Sequence, residues 1–410
     1  MNKTKKMIPK LRFPEFSNDE EWQKTTIDKI AKVSAGGTPE STNPEYWNGN
    51  IPWMNSGELN NKRIYSVSNY ITSKGLKESS TKLIPPNCVL IGLAGQGKTR
   101  GTAAINYIEL CTNQSIGSIH PNEDVFDSEF LYQKVDSMYE KLRYLSAGDG
   151  GRGGLNLQII KEIELSLPKL KEQQKVAACL SSLDEVIVSH NQKLQLLRDH
   201  KKGLMQTFFP REGEKVPKYR FKEFKGEWVK KKLGEVATFI NGRAYKQEEL
   251  LDGGKYRVLR VGNFFTNNNW YYSNLELEED KYCDNGDLLY AWSASFGPRI
   301  WKGEKVIYHY HIWKVVPSQS IDKGFLFILL DNETERMKTQ NANGFALLHI
   351  TKGTIESWKC CIPKSKDEQQ KIASCLSDLD ELINAQAEKI EQLKLHKKGL
   401  MQSLFPQMKD

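Results

Sequence analysis

With 410 residues, the chain is long enough for two to three domains, each with its own core. Its 59 Lys plus Arg against 51 Asp plus Glu leave a net charge of +8, which suits a polyanionic partner without requiring one. Seven cysteines, an odd number with no C-x2-C pair, argue for thiols in a reducing compartment and against a disulfide or zinc framework; no run approaches about 18 apolar residues, so no membrane span is expected.

The first element in chain order is a motif, Pro9-Lys10-Leu11-Arg12-Phe13, followed by Glu15-Phe16 and Trp22. From about residue 17 to 165, short apolar runs such as Cys88-Val89-Leu90-Ile91 and Ala103-Ala104-Ile105 are broken by Gly, Asn and Pro, which reads as strands joined by turns. A helix is expected near Ser128–Leu145. Residues 92–99, GLAGQGKT, match the phosphate-loop pattern G-x-x-x-x-G-K-(S/T). A true phosphate loop opens a helix whose N-terminus holds the anion. Here Arg100-Gly101-Thr102-Ala103-Ala104 reads as a turn and a second strand, which puts Lys98 and Arg100 on a hairpin tip. Nucleotide hydrolysis at 92–99 is the competing reading. Asn43-Pro44-Glu45-Tyr46 falls one residue short of an amino-methyltransferase N-P-P-Y motif, and no F-x-G-x-G loop accompanies it. The glycine cluster 148–154 carries Arg152 and serves either as a phosphate-contacting loop or as a connector.

Residues 172–210, EQQKVAACLSSLDEVIVSHNQKLQLLRDHKKGLMQTFFP, return as 368–406, EQQKIASCLSDLDELINAQAEKIEQLKLHKKGLMQSLFP; 23 of 39 positions are identical at an offset of 196. The opening motif returns as Pro217-Lys218-Tyr219-Arg220-Phe221, Glu223-Phe224 and Trp228, and Pro168 returns as Pro363. A variable domain followed by a long segment therefore occurs twice, with boundaries at 1–167, 168–210, 211–362 and 363–410. The second variable part again shows short runs (Arg257–Val261, Val306–Tyr308) and a helix near Lys323–Lys338. The expected class is α+β.

The long segments follow a 4-3 spacing, the pattern of a coiled-coil seam. In the first it runs through Val176, Leu180, Leu183, Ile187, His190, Leu194, Leu197, Lys201, Leu204 and Phe208. In the second it runs through Ile372, Leu376, Leu379, Ile383, Gln386, Ile390, Leu393, Lys397, Leu400 and Leu404. The polar interruptions fall at matching places, as residues that set register do. Pro210 and Pro406 end the helices. Gly203 and Gly399 lie in the last turns, where a close helix–helix or partner contact, or fraying, would account for them. A helix of this length spans roughly 52–58 Å at about 1.5 Å per residue. Two of them packed antiparallel would hold one globular domain at each end and act as a ruler. A coiled-coil scaffold without DNA contact is the plain alternative.

Basic, amide and aromatic residues interleave along the expected loops: Trp53, Asn55, Lys62, Arg63, Lys98, Arg100 and Arg152 in the first domain, and Arg243, Lys246, Arg257, Arg260, Asn263, Trp270, Tyr271, Arg299 and Trp301 in the second. Arg and Asn suit base edges, and Lys suits phosphates. The seven histidines show no metal or triad spacing beyond His309-x-His311, a pair expected to share one strand face without a third ligand. No catalytic constellation is visible.

Together, the E-Q-Q-K…L-D repeat at Glu172–Asp184 and Glu368–Asp380 and the R-F-x-x-F motif followed by Trp resemble the specificity (S) subunit of Type I restriction–modification enzymes, over essentially the whole chain. The resemblance implies two target-recognition domains separated by two long antiparallel helices, each domain reading one half of a split sequence in double-stranded DNA. It implies a cytoplasmic, non-catalytic chain that docks two methylation (M) subunits and two restriction (R) subunits. S-adenosylmethionine, ATP and Mg2+ would belong to those partners. Some family members carry a short tandem repeat after the first helix; none is seen in Arg211–Val216.

Overall fold

The computed structural model describes residues 7–94, 99–145, 154–265, 267–293, 296–341 and 350–406. The chain forms two compact units, residues 1–192 with 387–410, and residues 193–386. These units cut across a division into domain and following helix. Each contains one variable domain, the start of the long helix that follows it, and the end of the other long helix. The helices run Leu170–Phe208 and Lys366–Leu404, 39 residues each.

In the first unit, one sheet orders strands Val33–Ala35, Ile116–Ile119, Val89–Gly92, Ala103–Asn106 and Arg63–Ile64. A second sheet orders Asn69–Ile71, Trp47–Met54, Leu110–Thr112 and Leu83–Ile84. A two-stranded ladder, Gln23–Thr26 against Glu164–Leu167, closes the domain where the long helix begins. Among the described residues, the second unit repeats this plan without the edge strand equivalent to Arg63–Ile64. Its sheets order Ala237–Asn241, Ile312–Pro317, Leu288–Ala291, Gly297–Ile300, and Tyr271–Ser273, Tyr256–Leu259, Val306–Tyr308, Tyr282–Cys283. Its closing ladder is Val229–Lys232 with Lys359–Ile362. The fold is α+β, and the two variable domains share a topology their sequences do not display.

Two local expectations need correction. The helix near Ser128–Leu145 is broken: Ser128–Asp136 and Tyr139–Leu145 are separate, and the Ser137 hydroxyl donates back to the Lys134 carbonyl at 2.6 Å between them. Its counterpart, Lys323–Asn341, is continuous. Equivalent aspartates cap both starts; Asp127 accepts from the Phe130 N–H and Asp322 from the Phe325 N–H. The run Arg257–Val261 is strand only to Leu259. At Arg260 the chain turns into the short helix Val261–Phe265, with the Arg260 N–H on the Asn263 side chain.

All ten seam positions of each long helix are buried or half-buried, while the intervening positions are mostly exposed. Within each unit the two helical segments run antiparallel, residues 180–184 lying alongside 397–401 in the first and 201–205 alongside 376–380 in the second. The seam lysines pair across that contact. Lys397 meets Asp184 at 2.6 Å, and Lys201 meets Asp380 at 2.7 Å. Gly203 and Gly399 sit in continuous helix, and a Cβ at either would meet nothing within 4 Å, so no close helix contact requires them.

The repeated E-Q-Q-K motif anchors each variable domain to its helix. Glu172 is 1% exposed. It accepts from Arg12 Nε and Nη2 at 2.9 and 2.7 Å and from the Trp22 indole N–H at 3.2 Å. Gln173 bonds the Asp127 N–H and the carbonyls of Val125 and Pro168. Lys175 reaches Glu15. In the second unit, Glu368 receives Arg220 at 2.8 Å twice and the Trp228 indole at 3.1 Å. Gln369 repeats the bonds of Gln173, and Lys371 reaches Glu223. Trp22 packs edge-on against Phe405, and Trp228 against Phe209, so the end of a long helix completes each core.

Among the described residues, Lys134 is a charge buried without such a clamp. Lys134 is 6% exposed, lies over the Phe405 ring at 5.0 Å, and lines an open groove of about 1220 Å³ in the first unit with Lys62, Lys141 and Lys398. Burial, reinforced by Lys141, pulls its ammonium down to about 8.

Two stability outcomes follow. Breaking a buried ion pair leaves its partner uncompensated, at a cost of about 3–5 kcal/mol. Glu172→Ala and Glu368→Ala are therefore each expected to lose about 3 kcal/mol or more in denaturant unfolding; a loss under about 1 kcal/mol would remove the clamp from its anchoring role. Lys134 is depressed in the fold, so the unfolded chain holds the extra proton between its lowered value and the ordinary 10.5. Stability contributed by this site should rise with pH across that window, and Lys134→Met should flatten the rise and add on the order of 2 kcal/mol at neutral pH. A wild-type curve without that rise, or a less stable variant, contradicts the assignment.

Candidate functional site

Several residues expected on a reading surface in the first domain are drawn into the structure. Trp53 is buried, its indole N–H on the Gly37 carbonyl at 3.0 Å and its ring edge-on to Trp47. Asn55 caps a 3-10 turn, accepting from the Gly57 N–H and donating to Glu58, which occupies both ends of its amide. Lys62 pairs with Asp136 at 2.7 Å. Arg63 turns inward. It binds Glu129 at 2.9 Å and Asp184 of the long helix at 3.0 Å, with its guanidinium over Tyr132.

Arg63 thereby belongs to a hub that joins the variable domain to both helices. Asp184 receives Lys397, Arg63 and the Gln133 amide, and Ser181 donates to Glu129. Burial pushes the Asp184 carboxyl up, but Lys397, Gln133 and Arg63 outweigh it and hold the group below the usual carboxylate value. Composition singles out Arg63 as a DNA contact; only the sheet register shows that its strand edge faces the helix.

The phosphate-loop match ends in a hairpin. Val89–Gly92 and Ala103–Asn106 are antiparallel neighbours, and the Gly92 N–H donates to the Thr102 carbonyl. Gly101 adopts φ +80° to make the turn, and Arg100 sits half-buried beside it. No helix follows Thr99 to present N–H groups to a phosphate, so the fold does not fit a bound nucleotide here. Lys98 lies outside the described residues, as do Arg152 and residues 146–153. Asn43 accepts from the Glu45 N–H within its own turn.

In the second domain the cations stand further out. Lys246, Arg257 and Arg299 are exposed. Arg257 pairs with Glu304 and lies over Trp270, and Arg260 lies over the Tyr271 ring at 4.2 Å. Trp301 meets Trp270 edge-on at 6.3 Å. Arg243 is held by both oxygens of Glu249 at 2.7 Å, and Asn263 ties the loop at Asn267 and Asn269. His309 and His311 are not on a strand face. They flank Tyr310 in the turn between Val306–Tyr308 and Ile312–Pro317, their ring centroids 4.9 Å apart. Among the described residues no group of three or more His, Cys, Asp or Glu is placed to hold a metal, and no helix is long and apolar enough to cross a membrane.

The candidate surface is thus carried by a pair of like-built domains, each anchored to long helices by the same clamp and bearing unlike polar loops. A family profile for the Type I restriction modification DNA specificity domain matches residues 19–198 and 225–395, one match per repeat. The MjaVIII specificity subunit of Methanocaldococcus jannaschii is 24% identical over 407 residues, covering 94% of this chain and 92% of that one. The MjaIX specificity subunit of the same organism is 30% identical over 253 residues, 59% of this chain; the chain spans 57% of that relative's length. Among solved structures, the Type I restriction–modification S subunit of M. genitalium shares the fold, with a TM-score of 0.58 at 18% identity over 98% of this chain and 100% of the other. With both halves matched, the chain belongs to the family of Type I restriction–modification DNA specificity subunits.

Proposed function

We propose that this specificity subunit reads a split target in duplex DNA, one half-site per variable domain, and docks two methylation and two restriction subunits on its repeated helices. The observation that carries the reading is the repeat itself. The Glu–Arg–Trp clamp and the seam pairs recur, while the domains they hold share topology and almost no side chains. Identical anchoring with unlike surfaces suits two readers of different sequences served by copies of the same partners. The chain itself supplies no chemistry in this reading. The methylation subunits bring S-adenosylmethionine, the restriction subunits ATP and Mg2+, and the complex works on DNA in the cytoplasm.

The competing hydrolase reading loses its support with the hairpin at 92–103. A scaffold without DNA contact is separated by binding: duplex affinity of the chain with its methylation subunits should fall steeply with salt. Sequencing methylated bases in cells that express this chain with its partners should return one bipartite motif. Insertion of four residues near Arg198 adds about 6 Å of helix. The gap between half-motifs should then change by one or two base pairs while both half-motifs persist. Altered half-motifs, or an unchanged gap, would defeat the ruler function.

A further inference from the structure

In each variable domain the chain crosses from one sheet to the other through a three-residue turn, Asn113-Gln114-Ser115 in the first and His309-Tyr310-His311 in the second. The two turns lie 196 residues apart, the same offset as the long helices, although the neighbouring hairpins, 92–103 and 291–297, differ in length.

Their backbone frames share four hydrogen bonds to neighbouring segments. The Asn113 N–H donates to the Met54 carbonyl at 3.0 Å, and the His309 N–H to Leu259 at 2.9 Å. The Ser115 carbonyl accepts from Leu93 at 2.8 Å, and that of His311 from Trp292 at 3.1 Å. Thr112 accepts from Gly37, and Tyr308 from Arg243; Ile116 accepts from Gly36, and Ile312 from Gly242. A Cβ on Gly36 would lie 2.0 Å from the Thr112 carbonyl oxygen, and one on Gly242 would lie 2.5 Å from that of Tyr308. Each turn is therefore pressed against a glycine that no other residue replaces without displacing it.

The side chains on this common frame are wholly different, yet all carry hydrogen-bonding groups. The central residue, Gln114 or Tyr310, is exposed in both, and its neighbours are half-buried. In the second domain the three rings lie within 3.9–4.9 Å of one another, and the Trp292 indole N–H holds the Tyr310 carbonyl at 2.8 Å. Arg243 and Arg260 flank this turn; Gly37 and Asn55 take their places in the first domain.

We infer that these two turns are base-reading elements, presenting Gln114 with Asn113 and Ser115 to one half-site, and Tyr310 with His309 and His311 to the other. A rigid backbone that keeps its length while exchanging every polar side chain is what direct readout of different base edges requires. The inference rests on the bipartite reading above and sharpens it to particular residues.

The test is methylated-base sequencing with the complete complex carrying Gln114→Ala, Tyr310→Ala or Tyr310→Phe, the last keeping the ring in place. Tyr310→Ala should relax discrimination roughly tenfold at one or two base pairs of one half-motif, leaving the other half intact. Tyr310→Phe should relax the same positions, and Gln114→Ala should relax the opposite half. Unchanged motifs in all three variants, or weakening of both halves together with a lowered melting temperature, would overturn the assignment of the turns. A wild-type complex whose motif is not split would instead defeat the wider reading, and this inference with it.

Discussion

Two buried carboxylates hold this molecule's domains to its helices. Glu172 and Glu368 each sit at the start of a long helix and are 1% and 2% exposed, where an unpaired charge is untenable. Arg12 and Trp22 neutralise and hydrogen-bond the first, Arg220 and Trp228 the second. Those partners lie 140 to 160 residues away along the chain, so the clamp closes a long loop and sets how a variable domain meets its helix. The neighbouring glutamine then satisfies backbone groups at the junction. This accounts for the E-Q-Q sequence in physical terms: a buried acceptor, a buried two-ended amide, and an exposed glutamine next to them.

With that junction fixed, the interiors of the variable domains are free to change. The two share the order of their common strands, closing ladder and capped helix, all of which depend on backbone hydrogen bonds and on whether a position is apolar. Their polar loops do not share residues. The cations of the second domain lie mostly on its surface, whereas in the first Lys62 and Arg63 are absorbed into ion pairs. The seam adds a second constraint. The seam lysine of each helix finds an aspartate from the repeated L-D, and a paired seam charge penalises other registers because a slip would strand it.

Periodicity and repetition were legible because they are properties of the chain alone. The seam follows from spacing, the helix ends from Pro210 and Pro406, and the hairpin after Gly92 from the residues following Lys98. The sequence also marked the right residues for anchoring, Arg12, Trp22 and Glu172, without showing that they meet. It misled at Arg63 and Trp53, where residue type suggests a surface contact. A guanidinium serves a phosphate and a buried carboxylate equally well, and only the sheet register decides which it faces. The kinship of the turns at 113–115 and 309–311 escaped notice for the opposite reason. They share no residue, and their kinship lies in carbonyls and N–H groups that a side-chain comparison does not see.

The sequence by itself determined that this protein is a duplicated pair of variable domains on repeated helices, because a 23-in-39 repeat with a 4-3 apolar spacing admits little else. Tertiary structure alone decided that each compact unit takes segments from both halves of the chain, so that Phe405 packs on Trp22 and Lys397 on Asp184. The reason is the antiparallel run of the helical segments within each unit. Spacing along one helix reveals a face that must be covered, but which residues cover it depends on direction and register, which only the folded chain displays.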